Sequence, residues 1–268
     1  MGLCILANNA LTTVNGSATN NTLNDYSSRF AVASSFTCTT NALQGKVAVV
    51  ALLHDTASTV TMSVTANAQT TTKTDTINLL YNAADSEGLY VADGYVAANY
   101  VMTGLEYYTL NTKPVYSGGK YVAIYLDLGT TSTTSFTISF SSSVSVSRLI
   151  IGNYWSPTYN TSYGVQIGVQ DNTDYIRLQS GDLYSVLGSR NKTMQFDLQY
   201  LTDTDKNYLF DIMRSVSKTK PIFVSVFPGS SDLEQEQLYS IYGRVSTPAS
   251  ISYAMFSMYS SQLQLEEI

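Results

Sequence analysis

Apolar and polar residues alternate along several short stretches of this chain, and this is the period of a β-strand with one buried face. Residues 59–66 show it most clearly, because valine and methionine there alternate with threonine and serine. Residues 120–128 and 135–140 repeat the alternation, and glycines follow some of these stretches, as is typical of turns. The pattern predicts an all-β, mainly antiparallel protein.

One stretch is apolar at both alternating sets of positions. Lys46–Leu53 reads KVAVVALL, with no polar residue after the lysine. A strand of this kind is buried on both faces, so we expect it to lie centrally in a sheet. Many short strands at close spacing, with no helix-length pattern between them, predict a β-sandwich or jelly roll for residues 1–148.

The remaining residues, 149–268, predict a second antiparallel β domain with one packed helix near residues 203–217. Thr202 stands where a helix cap is expected, and Asp205 follows three residues later. The next apolar residues have the i, i+3, i+4, i+7 spacing of one buried helix face. These residues are Leu209, Ile212, Met213 and Val216. Pro221 follows and cannot continue a helix.

Charged residues make up only 13% of the chain, against ~25% in typical soluble domains. Threonine, serine, glutamine and tyrosine occupy most outward strand positions. Exposed strand edges are normally protected by lysine, proline or inward-pointing charges, so we expect partner subunits to cover much of this surface. The net charge of −6 and the lack of clustered lysine and arginine argue against a nucleic-acid partner.

Residue types that carry enzyme chemistry are scarce. The chain has one histidine and two cysteines, too few for a conventional zinc site, and no nucleophile motif accompanies the histidine. We therefore predict no enzymatic activity, no cofactor and no metal. Cys4 and Cys38 could form at most one disulfide, and two free thiols in a protein made in a reducing cytoplasm are the favoured interpretation.

The apolar N-terminal segment is too short for a membrane span and lacks the basic region of a signal peptide. We therefore expect no membrane insertion.

Tyrosine is abundant, with 21 residues, and its densest cluster lies in the first predicted domain. Aromatic rings with hydroxyl groups serve equally as packing, interface and sugar-stacking residues. Interface contact is the favoured interpretation, and carbohydrate contact stays open as the alternative. The residues concerned are Tyr90, Tyr95, Tyr100, Tyr107 and Tyr108.

Several segments of the second half occur in an order and spacing that resemble a β-rich structural domain of tailed-bacteriophage virion proteins. The segments are 148–157 (RLIIGNYWSP), 180–183 (SGDL), Arg190 with 196–198 (FDL), 218–228 (KTKPIFVSVFP), 241–244 (IYGR) and 263–268 (LQLEEI). The first half resembles, more weakly, the jelly-roll modules that precede this domain in such proteins.

The resemblance implies a non-enzymatic structural subunit of a phage tail, in the baseplate, tail tip or neck. Its expected partners are other tail proteins and copies of itself, and its expected location is the virion after synthesis in the host cytoplasm. A receptor- or glycan-binding tail protein and a capsid decoration or collar protein are the alternatives.

We also expect certain residues of the second half to build its core and its junction with the first half. Trp155, Tyr242 and Arg244 are the candidates for core and junction positions. Arg190 and Asp197 are a candidate structural ion pair, which would need a hairpin or loop because only seven residues separate them.

Overall fold

The computed structural model describes residues 2–15, 22–23, 30–53, 58–77, 121–172, 174–177, 183–186, 190–216, 218–247 and 250–268. These residues form sixteen β-strands and two α-helices, and every strand pair is antiparallel. The predicted all-β class is confirmed. The five cluster tyrosines Tyr90, Tyr95, Tyr100, Tyr107 and Tyr108 lie outside the described residues.

The strands of the first half are β2 (Leu11–Asn15), β3 (Ala31–Leu43), β4 (Lys46–Leu53), β5 (Ser58–Ala66), β6 (Gln69–Ile77), β7 (Tyr121–Asp127) and β8 (Thr133–Asn153). The strands of the second sheet are β1 (Cys4–Leu6), β9 (Gln166–Asp171), β12 (Arg190–Leu201), β13 (Ile222–Ser225), β14 (Ser240–Thr247), β15 (Ile251–Met255) and β16 (Met258–Glu267). A separate two-stranded sheet consists of β10 (Asp174–Arg177) and β11 (Leu183–Val186).

The first sheet is organised around the long strand β8. One side of β8 pairs with β3, and the other side pairs with β5 and then with β4. All these strands send alternate side chains into the same core, which includes Phe36, Val49, Val64 and Phe136. The sheet thus folds over on itself around a shared core, as a β-sandwich does; the jelly-roll connectivity stays a prediction.

An irregularity in β8 lets the same strand serve two cores. The pairing with β4 shifts between Leu52 and Leu53, where the serine hydroxyl of Ser147 donates to the Leu52 carbonyl at 3.2 Å. After this point Leu149 points into the first core, while Ile150 points to the opposite side. A β-bulge of this kind redirects side chains by inserting one extra residue.

Strand β4 is buried on both sides, as its sequence predicts. Val47 and Val49 face the core of the first sheet, whereas Ala48 and Val50 face the second sheet. The second sheet has the strand order β1-β13-β14-β16-β12-β9, with β15 beside β16.

The N-terminal strand belongs to the second sheet. In the register of β1 and β13, Cys4 lies opposite Ser225 and Leu6 opposite Phe223, so the chain crosses to the first sheet only after β1. The predicted boundary between residues 148 and 149 falls inside β8, which continues to Asn153.

The predicted helix is confirmed as α1 (Asp203–Val216), with Leu209 and Val216 buried against the second sheet. A short second helix, α2 (Leu233–Leu238), was not predicted. Six residues are too few to show a helical period, so the apolar pattern gave no signal for it.

Helix α1 and the two sheets are stacked in layers. Helix α1 covers one face of the second sheet, and the first sheet covers the other face. Phe223 and Tyr242 of the second sheet meet Val50, Tyr121 and Ile150 of the first sheet in this second interface. The rings of Tyr121 and Phe223 pack edge to face with centroids 5.6 Å apart.

Candidate functional site

A groove with a volume of about 520 Å³ lies between α1 and the β15–β16 hairpin. We call it the α1–β15 groove. Its lining is mainly apolar and aromatic, with two polar side chains. The lining residues are Lys206, Phe210, Met213, Ser250, Ile251, Tyr253 and Tyr259.

The two walls of the groove follow from the local periodicity of helix and strand. Met213 belongs to the apolar stripe of α1, and Phe210, three residues before Met213, lies at the exposed border of that stripe. Ile251 and Tyr253 lie two residues apart on β15 and share one face of the strand. Tyr253 is opposite Tyr259 in the register, and their rings are 5.2 Å apart.

Lys206 supplies the positive charge of the groove. Its Nζ lies 3.0 Å from Asp203 Oδ1 and 4.2 Å above the ring of Tyr259. The hydrogen bond with Asp203 raises the pKa of Lys206, and the same bond lowers the pKa of Asp203. Lys206 is therefore held in place by its own helix and by the hairpin.

The surface around the groove exposes large apolar side chains. Tyr253 is 60% exposed, Phe210 57% and Phe256, in the turn of the hairpin, 89%. Tyr200 is also exposed and has a φ of 61°, a left-handed conformation that is uncommon for a bulky residue. Exposed aromatic side chains that lie close together are typical of interaction surfaces.

A second candidate feature is a polar network where the two sheets meet. The hydroxyl of Tyr121, from β7, donates to Glu267 Oε1 at 2.7 Å and accepts from the Tyr242 amide at 3.3 Å. The side chain of Gln237, from α2, bonds to both backbone groups of Tyr121. The network therefore ties β7 to α2, β14 and β16.

Two buried or partly buried lysines extend the same network. The Lys73 ammonium group, from β6, donates to the Ala123 carbonyl at 3.3 Å and forms an ion pair with Glu236 of α2. Glu236 also accepts from the Gly229 amide at 2.9 Å. The Lys73–Glu236 pair therefore joins the first sheet to a helix of the second half.

Lys192, from β12, is buried and donates to the carbonyls of Gln237 and Ser240 at 3.1 and 2.7 Å. Burial lowers the pKa of Lys192 to about 8, although the negative charge of Glu267 opposes the shift. Burial likewise raises the pKa of the Tyr121 phenol well above its ordinary value, and the charge of Glu267 adds to the effect. Both groups have structural partners and are closed to solvent.

Both cysteines are free and buried, in agreement with the favoured interpretation from the sequence. Cys4 lies on β1 of the second sheet, whereas Cys38 lies in the core of the first sheet. Burial raises the pKa of the Cys38 thiol to about 12, and it also raises that of Cys4. Neither thiol has the lowered pKa of a reactive cysteine.

The structure places two of the predicted junction residues at or near the contact between the halves. Trp155 is partly buried and forms a β-bridge with Ile5, with both backbone hydrogen bonds at 2.9 Å. Tyr242 is buried between the sheets. Arg244 shares the strand face of the buried Tyr242 on β14, but its own side chain is exposed, so the prediction of a core position for Arg244 is wrong.

The predicted ion pair of Arg190 and Asp197 is also wrong. Both residues lie on β12, an unbroken strand between them, so their backbones are roughly 23 Å apart. The Asp197 carboxylate instead accepts a hydrogen bond of 2.7 Å from Gln262 on β16.

Sequence reasoning missed Lys73, Lys192 and the groove aromatics. A signal for Lys192 was present, because it has the same strand parity as Met194 and Phe196, which face a core. The sequence of α1 carried a weaker signal for the groove aromatics, because Phe210 and Tyr208 lie outside the buried stripe of the helix. The pairing of α1 with β15 has no local signal.

Within the described residues, no group of three or more histidine, cysteine, aspartate or glutamate residues is placed to hold a metal ion. In the same part of the chain, no helix combines the length and apolar character needed to cross a membrane.

Neither models of known protein families nor curated proteins match this chain. Its function is therefore argued from the surfaces that the structure describes.

Proposed function

We propose that this chain is a non-enzymatic structural subunit of a bacteriophage tail, in the baseplate, tail tip or neck, and that it acts through contacts with neighbouring subunits. The observation that carries the proposal is the exposed aromatic surface around the α1–β15 groove. Phe210, Tyr253 and Phe256 are all more than half exposed there.

Aromatic side chains gain more than most others from burial, so leaving several of them exposed together is unfavourable for a free monomer. Interfaces between proteins are enriched in tyrosine and phenylalanine and depleted in lysine and glutamate at their centres. The lining of the groove is rich in such aromatic residues, with Lys206 as its one charged residue, and the low charge content of the whole chain, 13%, agrees with an interface.

The phage-tail context comes from the resemblance of the second half to virion proteins. Two of the segments that carry it have structural roles here: Trp155 bridges β1, and Tyr242 fills the contact between the sheets. A domain held together by a packed junction and carrying an apolar outer surface suits a structural subunit. The expected partners are other tail proteins and further copies of the chain.

Mass spectrometry of purified phage particles tests this proposal. We expect the chain in intact particles at a fixed ratio to known tail proteins, and we expect particles from a nonsense mutant to lack complete tails. Absence of the chain from particles would contradict the proposal. Immunogold labelling on the head, with normal tails in the mutant, would favour a capsid decoration or collar protein instead.

One observation favours the second candidate, a receptor- or glycan-binding tail protein. The exposed ring of Tyr253 lies in the same groove as the Lys206 ammonium group and the Ser250 side chain. An aromatic face next to hydrogen-bonding groups is a suitable arrangement for a sugar ring. A glycan array with the intact chain and with Tyr253→Ala separates the candidates, because only a glycan-binding protein loses an array signal on this substitution.

A further inference from the structure

Strand β15 has one paired edge and one edge without a strand partner in the described part of the chain. It hydrogen-bonds to β16, with Ile251 opposite Ser261 and Tyr253 opposite Tyr259. Its sequence, ISYAM, has no charge and no proline. Natural edge strands usually carry charged residues or proline, which prevent pairing with another chain.

The face of the sheet beside this edge is apolar. Ile251 and Tyr253 point to the α1 side, where Phe210 of α1 is more than half exposed. An occupant of this edge must therefore supply an extended backbone and apolar side chains at alternate positions on the α1 side. It must also carry no charged side chain at the positions that lie opposite the uncharged strand β15.

We propose that the occupant is β15 of a second copy of this chain, paired antiparallel about a two-fold axis at Ser252. The proposal rests on the assembly function proposed above and names one of its contacts. The pairing between β15 and β16 shifts between Tyr253 and Met255, so the regular part of the edge is centred near Ser252. A two-fold axis there creates two equivalent pairs, and in each pair Ile251 of one copy lies opposite Tyr253 of the other.

The self-complementarity of this register is its physical basis. A β-branched residue opposite an aromatic residue is a favourable cross-strand pair, and Ser252 meets only Ser252 of the second copy. Two copies, each with a net charge of −6, meet through a strand that carries no charge. The two α1–β15 grooves lie on the same side of the joined sheet, so each Phe210 gains cover from the second copy.

The register predicts a test by charge exchange. Ser252→Lys and Ser252→Glu each place like charges at the axis, and we expect each to weaken dimerisation by more than about tenfold. An equimolar mixture of the two variants places opposite charges at the axis, and we expect it to dimerise again. Sedimentation equilibrium of the full chain measures dimerisation of the two variants and of their mixture. Circular dichroism checks that each variant is folded.

Thr13→Lys is the matched control, since Thr13 is an exposed hydroxyl residue on β2, an edge strand of the first sheet in the described residues. This variant should dimerise like the unmodified chain. A monomeric unmodified chain, or dimers unchanged by both Ser252 variants, would overturn β15 self-pairing. If the chain is monomeric but present in phage particles, the structural function stands and another protein occupies the edge of β15. If the chain dimerises as expected but is absent from particles, only the proposed tail function fails.

Discussion

Lys192 lies on the same face of β12 as Met194 and Phe196, and its side chain is buried, as theirs are. Two backbone carbonyls, those of Gln237 and Ser240, compensate part of the cost of burying this charge. The rest of this cost lowers the pKa of Lys192 to about 8. A buried lysine of this kind makes the stability of the fold depend on pH.

The sign of this dependence follows from proton binding. Between pH 8 and the ordinary lysine pKa of 10.5, the unfolded chain holds the Lys192 proton more tightly than the folded chain does. Raising the pH through this window therefore increases the contribution of Lys192 to the stability of the fold, by at most about 3 kcal/mol. The buried thiols of Cys4 and Cys38 act in the opposite direction above about pH 9, and Tyr121 does so above pH 10, because their raised pKa values keep them protonated in the fold.

We expect the free energy of unfolding to change with pH more favourably in the unmodified chain than in Lys192→Met between pH 8 and 9.5, because only the unmodified chain has the Lys192 contribution. Urea titrations at several pH values measure it. Lys218→Met, which replaces an exposed lysine after α1, should have the same pH dependence as the unmodified chain. Equal slopes for the unmodified chain and Lys192→Met would show that Lys192 is not the responsible group.

At the scale of elements, α1 begins with a reciprocal cap. The Asp205 amide donates to Thr202 Oγ1 at 3.2 Å, while Asp205 Oδ2 accepts from the Thr202 amide at 3.4 Å. Asp205 is buried, and both of its oxygens also lie 3.3 Å from the Thr158 amide. One side chain therefore starts the helix and fixes the segment that follows β8.

We expect Asp205→Ala to lower the free energy of unfolding by about 1–3 kcal/mol, because it removes the side-chain half of the cap and leaves the amides of Thr202 and Thr158 without this acceptor. Urea unfolding followed by circular dichroism measures the change. Asp211→Ala, at an exposed position of the same helix, is the control and should have little effect. A loss of equal size in both variants would assign the effect to helix composition.

The sequence predicted α1 closely because its signals are local: a cap, an acid three residues later and one apolar stripe. It did not predict α2, whose sequence LEQEQL has neither a stripe nor the length to show one. It also did not predict the pairing of Glu236 in α2 with Lys73, since the two residues are 163 positions apart. No pattern within a window of the chain relates residues at that distance.

At the scale of the whole molecule, the two sheets are joined by an apolar contact and by the network around Tyr121. Phe223, Tyr242 and Ile150 provide the apolar part. The Lys73–Glu236 pair lies beside it, with side chains only 19% and 5% exposed. Removing one member of a well-buried ion pair leaves the other charge without compensation, and this costs more than removing both.

We expect Lys73→Met to lower the free energy of unfolding by about 3 kcal/mol, and the double variant Lys73→Met/Glu236→Gln to lower it by less, because the glutamine leaves no buried charge. Urea unfolding of the two variants and the unmodified chain measures the difference. Lys46→Met, which removes an exposed lysine from the start of β4, is the control. A double variant less stable than Lys73→Met would contradict this account of the junction.

The sequence by itself determined the β class, the doubly buried strand β4 and the helix α1, because each depends on the periodicity of neighbouring residues. The tertiary structure alone decided that β1 pairs with β13, that Arg190 and Asp197 stay apart on one strand, and that α1 and β15 enclose a groove. Strand partners distant in sequence are selected by the burial of whole sheet faces. That selection depends on the complete fold, and it also places Tyr253 and Phe210 together at the surface that we propose for assembly.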